Sequence, residues 1–241
     1  MSLLTLNNVS KNFGGLKALS DVSIDVEEGK ITGIIGPNGS GKTTLFNVIT
    51  GFMKPNGGDI IFDGKSILNL KPHEISNRGL GRTFQIVKIF GNLTVVENVM
   101  IGALHYTSHL AEARKEACRV LDFLNLSELS DVYGDALTIS SRKQVEMARA
   151  LTLKPKLLLL DEPGGGMNPT EVDELMGQLS KIKKSGITIV VIEHIMKAIM
   201  GVSDRIVAIN YGKVIAKGTP KEVSMNEEVI SAYLGDTVNV L

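Results

Sequence analysis

One octapeptide constrains this chain more than any other feature in it. Gly36-Pro37-Asn38-Gly39-Ser40-Gly41-Lys42-Thr43 fits the pattern G-x-x-x-x-G-K-[ST]. A strand-length apolar run, Ile31–Ile35, precedes it, and a helical pattern over Lys42–Thr50 follows. Glycines let backbone N–H groups turn inward and approach phosphate oxygens closely. The helix start adds about half a positive charge. Lys42 supplies a mobile cation for β- and γ-phosphates, Thr43 a hydroxyl for Mg²⁺, and Thr44 joins the loop as its next residue. The alternative, a plain Gly-rich turn, does not account for the strand before and the helix after.

A second constellation depends on the first. Leu157-Leu158-Leu159-Leu160-Asp161-Glu162 is an apolar strand ending in two acids. Buried strands of phosphate-binding folds deliver carboxylates to their C-terminal ends. Asp161 then holds the metal and Glu162 polarises an attacking water, a contribution typically of ~10²–10⁴-fold. Alternatively, both acids cap the turn at Pro163. His194 follows the run Ile187–Ile192, placed to reach a γ-phosphate and orient water, or else is an ordinary partly buried histidine. Gln85, after Gly81-Arg82-Thr83-Phe84, offers a side-chain oxygen to Mg²⁺ or is an exposed loop residue. Phe13 offers a ring for stacking on a nucleobase or is a strand-end core residue. His73, His105 and His109 have no comparable placement, and Cys118, inside a helical pattern, is expected in the core.

Composition narrows the class. Of 241 residues, 43% are hydrophobic and 22% charged, which excludes a disordered chain. The formal net charge of zero argues against a basic-stripe nucleic-acid binder. The single cysteine excludes a disulfide framework and a multi-cysteine zinc site. No window approaches the ~18 apolar residues of a membrane span, and Met1–Asn8 has no signal-peptide pattern.

The apolar runs Leu3–Val9, Val22–Val26, Ile31–Ile35, Asp59–Phe62, Leu157–Leu160, Ile187–Ile192, Arg205–Asn210 and Lys213–Lys217 read as strands. Helical patterns cover Ala111–Leu124, Ser141–Thr152 and Thr170–Lys184. Early strands without intervening helices imply hairpins. Strand–helix alternation in the last third implies a parallel sheet. The stretch from about Ile86 to Leu151 reads as a mostly helical insertion.

Gly36–Thr43, Gln85, Asp161-Glu162 and His194, in this order, resemble the ATP-binding subunits of ABC transporters, and the resemblance spans nearly the whole chain. Gly81–Gln85, Phe90–Val95, Glu162-Pro163 with Met167-Asn168-Pro169, and Ile192–His194 resemble the branched-chain amino-acid uptake (LivG-type) subgroup. The resemblance implies an α/β P-loop NTPase (RecA-like) core with an N-terminal antiparallel β lobe, over residues 1–85 and 152–241, and a helical subdomain over 86–151. It implies ATP and Mg²⁺ sandwiched between two head-to-tail cassettes, transmembrane permease subunits, an extracytoplasmic substrate-binding protein, and a place at the cytoplasmic face of the membrane. It matches Phe13 to the base-stacking aromatic, and Gln85 to the loop between the Mg²⁺ site and the membrane subunit. Ile86–Val96 then lies near the docking surface, with a buried role in the helical lobe equally compatible. Soluble family members acting in translation or DNA repair carry two cassettes or a long coiled coil, neither of which this chain has.

The chain departs from that family at its signature, roughly Leu-Ser-Gly-Gly-Gln. The aligned residues are Leu137-Thr138-Ile139-Ser140-Ser141, or a register that puts Ser140 on the signature serine. Ser140 adds a Cβ where backbone approaches phosphate. The expectation is a weakened contact to a partner's ATP and, as an alternative function, a nucleotide-gated, weakly hydrolysing subunit of a heterodimer. Gly164-Gly165-Gly166 is a second oddity, expected to add backbone freedom at a dimer interface.

Overall fold

The chain forms two sheets whose faces share one interior; the computed structural model describes residues 1–234. β1 (Ser2–Phe13) and β2 (Leu16–Glu27) form the expected antiparallel hairpin, turning at Gly14 with φ 57°. β4 (Gly57–Phe62) pairs antiparallel with the other edge of β1, and β5 (Lys65–Ser66) completes the order β2-β1-β4-β5.

The second sheet has the order β10-β9-β3-β8-β7-β6. Its strands are β3 (Ile31–Ile35), β6 (Leu80–Arg82), β7 (Leu157–Asp161), β8 (Thr188–Ile192), β9 (Arg205–Asn210) and β10 (Lys213–Gly218). Neighbours run parallel except the β9–β10 hairpin. All residues of β3, β7 and β8 are buried, which is why these strands are apolar without alternation. Alternate residues serve different cores. Leu157, Leu159, Val190 and Ile192 pack towards the antiparallel sheet and α1 (Lys42–Ile49). Leu158, Leu160, Ile189 and Val191 pack towards the other helices.

Between β6 and β7 lie α3 (Val95–Ala103), α4 (Leu110–Phe123) and α5 (Ile139–Thr152). α2 (Pro72–Asn77), α6 (Pro169–Lys184), α7 (Met196–Val202), α8 (Pro220–Ser224) and α9 (Glu227–Leu234) complete the chain. α4 buries Ala113, Ala117, Val120 and Leu121. Cys118 is exposed, not in the core. It lies one turn from Arg114 and one from Asp122, on the helix's charged face. Among the described residues no helix is long and apolar enough to cross a membrane.

Candidate functional site

The C-terminal ends of adjacent parallel strands converge, the place where open α/β sheets hold ligands. β3 runs into Gly36, β7 ends at Asp161, and β8 leads to Glu193 and His194. The loop after β3 is shaped by close approach. A Cβ on Gly36 would lie 2.0 Å from the Ile209 carbonyl, and one on Gly41 would lie 2.6 Å from that of Ala18. Gly39 and Gly41 have φ of 79° and 108°, the region that glycine adopts at least cost. α1 begins at Lys42, directing its first N–H groups to the loop's interior.

A cleft of about 400 Å³ opens over this loop. Asn38–Thr44, Phe13, Gln85, Glu162 and Tyr211 are among its lining residues. Phe13 is 45% exposed at the end of β1, on the cleft wall rather than in the core. Tyr211, 84% exposed with φ 44°, was not singled out by the sequence. Lys42 donates from Nζ to the carbonyls of Gly36 (2.8 Å) and Pro37 (2.9 Å). Burial pushes its ammonium pKa down, against the pull of Glu162 and Asp161.

Glu162 is held from both sides. Its Oε1 lies 2.6 Å from His194 Nε2, and its Oε2 accepts from Gln85 Nε2 at 3.1 Å. Its backbone is left-handed, φ 52°, which is strained for a glutamate. The Glu162 N–H donates to the Ile192 carbonyl (3.0 Å), and its carbonyl accepts from Lys143 Nζ (2.6 Å). Neither Lys143 nor its contact was legible in the sequence.

Asp161 is buried and paired with Arg82, whose Nη2 lies 3.2 Å from Oδ2. Arg82 also donates from Nη1 to Asn47 Oδ1 (2.8 Å) and Thr50 Oγ1 (2.9 Å), and lies against the rings of Phe84, Phe46 and Phe52. Burial raises the Asp161 pKa while Arg82 opposes the rise. Asp161 Oδ1 is buried with no hydrogen-bond partner, as is Ser40 Oγ. An unpartnered buried carboxylate oxygen beside a phosphate loop fits a hard cation. The Thr43 hydroxyl and the Gln85 amide, which line the cleft where Asp161 does not, offer further oxygen donors of the kind Mg²⁺ takes. Among the described residues no group of three or more His, Cys, Asp or Glu could hold a metal alone.

Leu137, Thr138, Ile139, Ser140 and Ser141 are not among the residues that line this cleft. Thr138 is the N-cap of α5, its hydroxyl accepting from the Ser141 N–H at 3.1 Å. Helix α5 therefore begins two residues earlier than its pattern suggested. Ser140 is buried at 7% exposure, while Ile139 is exposed at 65%. Of the triple glycine, Gly164 and Gly165 are closely approached, while Gly166 is exposed with φ 82°. A Cβ on Gly164 would lie 2.6 Å from Glu193 Oε1, and one on Gly165 would lie 2.9 Å from Lys143 Nζ. Ile86 and Phe90 are exposed, Ile89 packs against the core, and Val95 and Val96 are buried. The buried role expected for this stretch therefore holds at Val95 and Val96, while Ile86 and Phe90 stay exposed.

Residues 19–165 match the ABC transporter family. The chain belongs to that family. Residues 213–239 also match the family described as "Branched-chain amino acid ATP-binding cassette transporter". BraF of Pseudomonas aeruginosa, a high-affinity branched-chain amino acid transport ATP-binding protein, is 39% identical over 97% of this chain and 98% of its own. LivG of Salmonella typhimurium, described in the same words, is 38% identical over the same shares. The crystal structure of an ATP-binding cassette of an ABC transporter in its ADP conformation superposes with a TM-score of 0.90. It is 37% identical, over 98% of this chain and 99% of that one. The fold is thus the P-loop NTPase fold of ABC cassettes, and the chain is an ATPase subunit of that family.

Proposed function

We propose that Glu162 is the general base of this ATPase and that the chain powers uptake of branched-chain amino acids through transmembrane permease subunits. The observation that carries the first part is the Glu162 carboxylate, fixed by His194 and Gln85 at the edge of the phosphate cleft. Lys42 and the Asn38–Thr44 amides bind the triphosphate and stabilise charge spreading on the γ-phosphoryl group. Phe13 stacks on the base. Glu162 takes the proton of an attacking water that His194 orients. Bound Mg²⁺, held by Thr43, Asp161 and Gln85, supplies neutralisation of phosphate charge. Asp161 would hold the ion through Oδ1, which has no hydrogen-bond partner, since Oδ2 accepts from Arg82.

In this reading residues 1–85 and 152–241 form the core and β lobe, and 86–151 the helical subdomain. A second cassette faces the cleft head-to-tail, offering its own signature loop, and hydrolysis reopens the pair. Residues 137–141 serve the partner's ATP in the first register, supported by Thr138 at the N-cap of α5. Exposed Ile86 and Phe90 offer apolar contact to the permease at the cytoplasmic face of the membrane. The cargo, delivered by an extracytoplasmic binding protein, follows from the branched-chain relatives and the match over 213–239.

The test is Glu162→Gln in the assembled transporter. The expected result is an ATP-bound cassette dimer with turnover abolished and leucine uptake into vesicles lost. Unchanged turnover would refute the base. Turnover stimulated by the binding protein loaded with some other solute, but not with leucine, isoleucine or valine, would refute the cargo.

A further inference from the structure

Helix α5 begins at the signature loop, yet its second turn reaches the other end of the machinery. Lys143 lies five residues after Thr138, and its ammonium donates to the Glu162 carbonyl at 2.6 Å. That carbonyl also accepts from the Gly165 N–H at 3.2 Å, closing a turn in which Glu162 is left-handed. The flanking contacts leave the turn little freedom. Glu193, 2% exposed, accepts the Gly164 N–H on Oε1 and the His194 N–H on Oε2. The same acid thus fixes both the turn after Glu162 and the backbone of His194.

Gly164 and Gly165 make this arrangement possible. Any Cβ at Gly164 would press on Glu193, and one at Gly165 would lie 2.9 Å from the Lys143 ammonium. Four acids face that ammonium: Glu162, Asp161, Glu146 and Glu193. Its hydrogen bond, however, goes to a backbone carbonyl rather than to a carboxylate. A cation there fixes where the peptide sits, and so where the Glu162 side chain starts from.

We propose that Lys143 is a positioning residue that ties α5 to the backbone of Glu162, so that displacement of residues 137–141 moves the base relative to its own phosphate cleft. This rests on Glu162 being the base. The consequence is regulatory. Engagement of this chain's signature loop by a partner's ATP is transmitted within the chain, through one turn and a half of helix, to the site that hydrolyses its own ATP. Arginine retains the cation at a similar reach, whereas methionine keeps the stem and removes the bond.

The experiment compares Lys143→Met, Lys143→Arg, Gly165→Ala and Glu162→Gln in the assembled transporter. It reads kcat, KM for ATP, the Hill coefficient of ATP hydrolysis, equilibrium ATP binding and thermal midpoint. Lys143→Met is expected to lower kcat at least tenfold and bring the Hill coefficient to about 1, with ATP affinity changed less than twofold. Lys143→Arg should restore most of kcat. Gly165→Ala, which keeps the lysine and crowds its ammonium, should lower kcat severalfold, and it decides the matter if Lys143→Met does not fold. Unchanged kcat in Lys143→Met, with Glu162→Gln inactive, overturns the inference and leaves the base standing. Loss of kcat, ATP affinity and thermal midpoint together, with no rescue by arginine, reduces Lys143 to a structural tie and also overturns it. Retained turnover in Glu162→Gln overturns the base and the inference with it.

Discussion

Arg82→Met is the perturbation whose cost the structure defines best. Only 7% of the Arg82 side chain and 1% of the Asp161 side chain are exposed. Removing one partner of such a pair leaves a buried charge without compensation, which costs about 3–5 kcal/mol. The bonds to Asn47 and Thr50 go as well, but both side chains belong to α1 or its C-cap, and Thr50 keeps its own bond to the Phe46 carbonyl. Methionine recovers part of the loss by packing its sulfur against Phe84, Phe46 and Phe52, worth about 0.3–1.5 kcal/mol. The net expectation is about 3 kcal/mol at pH 8, or roughly 6–12 °C in thermal midpoint for a chain of this size. The loss depends on pH with a definite sign. Burial raises the folded pKa of Asp161 and Arg82 lowers it, so the variant's folded value is higher still. A raised carboxyl pKa favours folding below the unfolded pKa, and that contribution disappears as pH rises through the folded value. The penalty of Arg82→Met is therefore largest at pH 8 and shrinks as the pH falls towards the acid range, because Asp161 then takes up a proton instead of remaining as an unpaired anion. Urea denaturation of both proteins across that range measures it. A penalty below about 1 kcal/mol at pH 8, or one that does not change with pH, refutes the reasoning.

Three further outcomes follow from other parts of the structure. Gly102→Ala places a Cβ 2.2 Å from Thr152 Oγ1 and 2.5 Å from the Arg149 carbonyl, where α3 crosses α5. Overpacking of about 1–3 kcal/mol should lower the thermal midpoint with ATP affinity unaltered, and an unshifted melt would contradict it. Phe13→Ala removes a stacking face worth about 0.5–1.5 kcal/mol, so ATP should bind about two- to twelvefold more weakly while inorganic triphosphate binds as before. Equal loss for both ligands would remove Phe13 from the base site. Thr138→Ser, Ser140→Gly and Ser141→Gln together should raise ATP turnover of the assembled transporter, and no gain would mean that the altered signature is not limiting.

The strands that carry the site were legible because burial on both faces leaves an unbroken apolar run. Ile31–Ile35 and Leu157–Leu160 are read from sequence almost to the residue. β6 was not, since Leu80-Gly81-Arg82 is too short for a pattern and carries a charge. α3 left a signal that went unused. Thr94 and Glu97 form a capping box before an apolar run, and the side chains bond each other's backbone as that pattern requires. Cys118 shows the limit of assigning a helix without its phase. Arg114 and Asp122, four residues to either side, already mark that face as the solvated one.

What escaped the sequence altogether is how two adjacent acids are accommodated at the end of a buried strand. Asp161 and Glu162 announce themselves by following four leucines, but their cationic partners have no periodicity to betray them. Arg82 reaches Asp161 from 79 positions away, and Lys143 reaches the Glu162 carbonyl from 19. The two cations solve different problems. Arg82 bonds the side chain of an acid with almost no solvent, so its removal is felt in stability and in pH dependence. Lys143 bonds the backbone of an acid whose carboxylate already has His194 and Gln85, so its removal is felt in where the base stands. Of these two neighbouring interactions, one thus belongs to the ledger of folding and the other to that of turnover, and paired stability and kinetic measurements on both variants separate them. If Lys143→Met proved as destabilising and as pH-dependent as Arg82→Met, the ammonium would be neutralising the surrounding acids rather than fixing the peptide, and the distinction between the two would fail.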